Sequence, residues 1–176
     1  MLVVAAPYPG TPEWAAGGFA KSKTGQLPLL EDGDVSIGQG RAIMAYLIKK
    51  FEIAADMSVA DYAKSEELTD QACGDMHSAF AGAHYAPDRT AAMDKLFGEG
   101  GGVPKTLGAF EDHVDGTVTP GHCAYAAALN IGVRLQPDCL DNFPKTKAFY
   151  ETIMANEGVK AADAAVPYPY FKRNSD

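Results

Sequence analysis

Residues 25–51 read GQLPLLEDGDVSIGQGRAIMAYLIKKF, and in that order they spell a strand, a turn, a second strand and a helix. Leu27-Pro28-Leu29-Leu30 is a short apolar run of the kind a buried strand uses. Glu31-Asp32-Gly33-Asp34 is polar turn chemistry, with a glycine able to take positive φ. Val35-Ser36-Ile37 then alternates as a strand does. A helix is predicted from about Gln39, because Ile43, Met44, Leu47, Ile48 and Phe51 fall on one stripe and leave Arg41, Lys49 and Lys50 off it.

Two features of this stretch are hard to explain as packing. Pro28 has no N–H and sits inside the strand run, which predicts a sheet edge or a cis X–Pro bond. Either arrangement leaves the backbone of Leu27 facing outward to a ligand. At the strand-to-helix junction, Gln39-Gly40 brings backbone N–H groups to the positive end of a helix, where an anion such as a carboxylate collects.

These residues resemble the second half of the thioredoxin-like domain of the cytosolic glutathione S-transferase family, in its sigma-like form. Similar proteins read G-(Q/K)-(L/I)-P-x-L, then a turn, then Q-S-x-A-I-x-x-Y-L. The resemblance implies that Leu27, beside a cis Pro28, pairs its backbone with the cysteine of glutathione. It makes Gln26 a side-chain contact and Gln39 the contact for the γ-glutamyl end. Gly40 stands where the family has serine, so the N–H is kept and a hydroxyl is lost. One hydrogen bond to a charged group is worth on the order of 1.5–3 kcal/mol when buried.

Upstream, Leu2 to Ala6 is a candidate strand, and Pro7, Pro9, Gly10 and Pro12 interrupt regular structure after it. Trp14 to Lys23 can form a weak helix, with Gly17 and Gly18 each lowering its stability by about 1 kcal/mol. The resemblance places Trp14, and Lys21 or Lys23, at the glycine carboxylate of glutathione. The alternative for Trp14 is an aromatic wedge over the sheet edge. The family opens with a strand and a helix and carries its catalytic tyrosine or serine just after that first strand. This chain is read as N-terminally shortened, with that first β-α unit missing, and its catalytic residue is unknown. Tyr8 is not assigned the role.

Downstream, Ile53 to Ser58 reads as a linker, with Asp56 or Ser58 able to cap the next helix. A long helix is predicted over Val59 to Tyr85 on the stripe Ala72, Cys73, Met76, Ala79, Phe80 and Ala83. In related dimers an acidic residue of this helix reaches the amino group of glutathione across the subunit interface, and Asp75 is the match. Asp88 starts a further helix whose buried residues are Ala91, Ala92, Leu96, Phe97, Leu107, Phe110 and Val114. The run GEGGGVP at 98–104 breaks it, since no Gly-Lys-Ser/Thr follows to make a phosphate loop. Thr119 and Pro120 open an apolar helix ending at Leu135. The family has an aspartate where His122 stands, so half of its capping box is expected to weaken. Pro137 to Pro144 resembles the family's P-D-x-L-D-x-x-P. A helix striped by Phe149, Tyr150, Ile153 and Met154 follows, then a last one at Val159 to Ala165 and an aromatic tail.

Fold class is thus expected to be α+β: a partial thioredoxin-like glutathione-binding domain over residues 1–52, and an all-helical domain over 59–176. Glutathione is the implied cofactor, and a small electrophile the implied second substrate if the chain is active. The alternative is a catalytically silent subunit, joined as a homodimer or into a larger protein assembly.

Composition narrows the partners. With 176 residues and a formal net charge of -8, the chain lacks the basic face that nucleic acid or an anionic membrane needs. No run reaches the ~18 apolar residues of a membrane span. Cys73, Cys123 and Cys139 are odd in number and form no C-x-x-C, and His77 and His84 lack ligand spacing, so no metal site is predicted. The cytoplasm or another reducing compartment fits.

Overall fold

A computed structural model describes residues 2–4, 23 and 28–165. They fall into two compact units, 1–56 and 57–176. In the first, the sheet order is β1-β2-β3 with both pairings antiparallel, where β1 is Leu2–Val4, β2 is Leu29–Asp32 and β3 is Val35–Gly38. β2 begins at Leu29, directly after Pro28, which has no N–H to give to the ladder. Leu29 and Leu30 are buried, as their apolar run predicts.

Asp32 pairs with Val35, so the hairpin loop is Gly33-Asp34. Gly33 has φ +59 and Asp34 is not in the positive region, the pattern of a two-residue type II′ turn. Helix α1 (Gly40–Lys50) follows β3 after one residue. Its last turns hold the hairpin tip: the Tyr46 hydroxyl donates to Asp32 Oδ2 at 2.8 Å, and Lys50 Nζ donates to the same oxygen. The hydrogen bond from Lys50 and then that from Tyr46 hold the Asp32 carboxyl below its ordinary value, and the same contact raises Lys50.

The second unit is helical. α2 (Val59–Asp70) starts at a Ser58 cap, whose hydroxyl accepts from the Asp61 N–H. It runs through a π-helical segment, Gln71–Met76, into α3 (His77–His84). Ala72, Met76, Phe80 and Ala83 of the expected stripe are buried, whereas Cys73 is exposed. The wider i→i+5 winding rotates Cys73 off the face that strict helical spacing gives it. α4 (Arg89–Phe97) is capped by Asp88, and α5 (Gly102–Glu111) begins after the glycine run. The break is tight: a Cβ on Gly101 would lie 2.4 Å from the Leu96 carbonyl oxygen. Met93 and Val103, neither on the expected stripe, are buried there.

α6 (Pro120–Leu135) is the central helix, with Ala124, Tyr125, Ala128, Leu129 and Leu135 in the core. α2 packs along it more extensively than any other pair of helices in the unit. Gly121 makes that approach close, its N–H donating to the buried Ser65 hydroxyl at 2.9 Å. Phe110 of α5 stacks on Tyr125 with ring centroids 3.8 Å apart. α7 (Pro144–Met154) and α8 (Glu157–Ala165) complete the unit. Among the described residues, no helix is long and apolar enough to cross a membrane.

The capping box at α6 corrects one expectation. Both halves are present: the His122 N–H donates to Thr119 Oγ1 at 3.4 Å, and the Thr119 N–H donates to His122 Nδ1 at 3.3 Å. An unprotonated imidazole nitrogen accepts a backbone N–H as a carboxylate oxygen does, so the exchange of aspartate for histidine leaves the box closed.

Candidate functional site

The candidate site starts where β3 passes into α1. β3 ends at Gly38, α1 begins at Gly40, and Gln39 alone makes the turn. It does so with φ 71° and ψ 117°, in the positive-φ half of the conformational map that a residue with a Cβ rarely enters. Such a conformation costs of order 1–3 kcal/mol and persists only where the surrounding structure imposes it. Here β3 is fixed by its ladder to β2, and the hairpin tip is fixed to the end of α1 through Asp32, Tyr46 and Lys50.

The same turn exposes the start of α1. Gln39 and Gly40 are exposed, the Gln39 side chain does not cap the helix, and the first turn of α1 carries no acidic residue. The helix thus brings no carboxylate to its amide end from its own first turn. Among the described residues, a Cβ built on Gly40 meets nothing within 4 Å.

Pro28 is exposed immediately before β2. Trp14, Gln26 and Leu27 lie outside the described residues, and with Leu27 goes its peptide bond to Pro28. Lys23 is exposed at a turn. Asp75, in the second unit, is exposed on the π-helical segment and lines a shallow cleft with Val59, Tyr62, Glu67 and Gly74. Winding of this kind occurs frequently at functional sites.

The catalytic residue that the sequence leaves unknown is assigned to none of the described tyrosines. Tyr46 and Tyr150 donate to Asp32 and Asn130. Tyr125 is fully buried, and burial pushes its phenol well up from the ordinary value. Cys139 is half-buried, and burial, followed by the charge of Asp138, pushes its thiol up to about 12, so it is not a thiolate at neutral pH. Sequence reasoning missed the clamp of Asp32 by Tyr46 and Lys50. The i, i+4 spacing of Tyr46 and Lys50, on the side of the helix away from Arg41, was its available signal.

No protein-family model matches the sequence, and no curated protein matches it. Solved structures do. A Pi-class glutathione S-transferase of Onchocerca volvulus aligns with TM-score 0.74 at 22% identity, covering 85% of this chain and 77% of that one. Prostaglandin synthase D of Nilaparvata lugens aligns with TM-score 0.69 at 21% identity, covering 89% and 82%. With its antiparallel sheet, its strand-to-helix junction and its helical second unit, the chain has the fold of the cytosolic glutathione S-transferases, a thioredoxin-like half followed by an all-helical half.

Proposed function

We propose that this protein binds glutathione at the junction between β3 and α1. The observation that carries the reading is Gln39, held at φ 71° beside an exposed helix start. Strain at one exposed polar residue marks a candidate site, and the amide groups beside it suit a carboxylate such as that of the γ-glutamyl end. Gln39 and the Gly40 N–H hold that end. Gln26, the Leu27 backbone beside Pro28, Trp14 and Lys23 extend the site along the tripeptide. Asp75 reaches the amino group from a second copy. Conjugation of small electrophiles is the activity this binding serves if a thiol-activating hydroxyl completes the site.

Calorimetric titration with glutathione tests the reading. Gln39→Ala is expected to weaken binding by about 10- to 100-fold, the loss of hydrogen bonding to a charged group. Gly40→Ser, whose Cβ meets none of the described residues within 4 Å, is expected to tighten it by about tenfold. Absence of saturable binding by the parent chain and by Gly40→Ser alike would remove glutathione from the account. Turnover of a chloronitrobenzene by the parent chain, lost in Gln39→Ala, would add the transferase activity.

A second reading, a docking subunit without catalysis, is favoured by one surface. Val59 is 87% exposed and Tyr62 50% exposed on the same side of α2. Replacing both with serine is expected to return a self-associated or assembled chain to the mass of a single copy in sedimentation equilibrium. An unchanged mass would exclude this face.

A further inference from the structure

His122 is the N3 residue of α6 and more than nine-tenths buried. Its Nδ1 lies 2.8 Å from Thr119 Oγ1 and 3.3 Å from the Thr119 nitrogen, which has a proton to donate. Accepting that N–H requires an unprotonated Nδ1, which puts the ring proton on Nε2. Nε2 is buried with no hydrogen bond of normal length, though the His113 carbonyl is near enough to the ring to favour its charged form, and the ring centroids of Phe110 and Phe149 stand 6.0 and 5.8 Å from that of the imidazole. The closed box therefore holds one protonation state of one tautomer.

We infer that the Thr119–His122 box is an acid-sensitive latch on α6: neutral His122 closes it, and protonated His122 opens it and loosens the first turn of α6 from α2. With a proton on Nδ1 the ring can no longer accept from the Thr119 N–H. The Thr119 hydroxyl must turn from donor to acceptor, and a positive charge arrives at the positive end of a 16-residue helix. The turn affected is the one whose Gly121 N–H is bonded to Ser65 of α2.

The groups around the ring work in both directions. The titratable ones facing it are His113, at the end of α5, and Asp115, in the loop before α6. α7 presents the Phe149 ring, and α2 meets the same turn through the Ser65 hydroxyl. Burial and then the His113 ring oppose the cation, while the Asp115 carboxylate and the His113 carbonyl favour it. Burial dominates, and the imidazole lies below its ordinary 6.5. A folded value below the unfolded one means the unfolded chain binds more protons in that window. The stabilisation is complete above about pH 6.5 and is lost as pH falls from there through the folded value.

The test compares urea unfolding of the full chain, of His122→Asp and of His113→Gln at about pH 7.5 and about pH 5.5. Acid is expected to raise the unfolding equilibrium constant of the parent and of His113→Gln by up to about tenfold more than that of His122→Asp, whose carboxylate keeps the box closed. Parallel losses in all three chains overturn the latch, and so does disappearance of the effect in His113→Gln. Should His122→Asp fail to fold, imidazole nitrogen NMR of the parent decides. A neutral ring protonated at Nε2, titrating below 6.5, is expected. A proton on Nδ1 at neutral pH, or titration at or above 6.5, overturns the inference.

Discussion

Gly121→Ala is expected to destabilise the helical unit by about 3 kcal/mol, at the upper end of what overpacking a core costs. The added Cβ would lie 2.0 Å from the Ser65 carbonyl oxygen and 2.8 Å from its carbonyl carbon. Both are backbone atoms of α2, so no side chain can swing aside. Relief requires α2 and α6 to move apart, along the most extensive helix pairing of the unit and around buried Leu68, Thr69 and Tyr125. The Gly121 N–H would leave the Ser65 hydroxyl in the same movement. Gly82→Ala is the matched control: it is also helical, a Cβ there meets nothing within 4 Å, and alanine is expected to stabilise by about 0.5–1 kcal/mol. Urea unfolding of the two variants checks both signs, and a neutral Gly121→Ala would show that α2 and α6 can separate without loss.

Glu111→Ala is expected to cost about 2–3 kcal/mol, because one carboxylate supplies the whole cap of a helix elsewhere in the chain. α7 begins after Phe143, whose side chain makes no cap. Glu111, at the end of α5, takes over: Oε1 accepts from the Lys145 N–H at 2.8 Å, and Oε2 accepts from the Thr146 N–H at 2.8 Å and the Thr146 hydroxyl at 2.7 Å. A negative charge here also faces the positive end of α7. Burial alone would raise this carboxyl, but the three hydrogen bonds outweigh it and hold the group below its ordinary 4.5. The folded value is therefore the lower one. The stabilisation is present above about pH 4.5 and fades as pH falls through the folded value. Glu111→Gln should lose less than Glu111→Ala at neutral pH, since an amide oxygen still accepts. Equal thermal midpoints for Glu111→Ala and the parent at neutral pH would mean that water caps α7 equally well. The loss at Glu111 begins at about pH 4.5 and that at His122 at about pH 6.5, so a fall in stability between those two values belongs to His122 and not to Glu111.

The junction at Gln39 shows where reading the sequence stops. The Gln-Gly pair between a strand pattern and a helix pattern marked the place and the chemistry. Its positive φ did not follow from those residues, since glutamine has no preference for that region. The conformation is imposed by β2, which fixes β3, and by Asp32, which joins the hairpin tip to α1. Of the remaining candidates, Gly40 has none of the described residues within 4 Å of an added Cβ, while Trp14, Gln26 and Leu27 stay sequence-level expectations.

What the residues determined alone were features closed within about four positions of themselves. These are the turn at Gly33, the caps at Asp88 and Thr119, the Pro120 start and the break at 98–101, whereas the choice of Ser58 over Asp56 as a cap came with the structure. Each is a local hydrogen bond or a local steric limit. Tertiary structure alone decided which distant groups meet. Glu111 caps α7 across 34 residues and Ser65 receives Gly121 across 56, pairings set by how the helices cross and by no local pattern. It also decided the fate of His122. The chain shows a histidine at the third position of α6, and burial beside Phe110 and Phe149, with the His113 ring, disfavours its charged form and so favours the closed box.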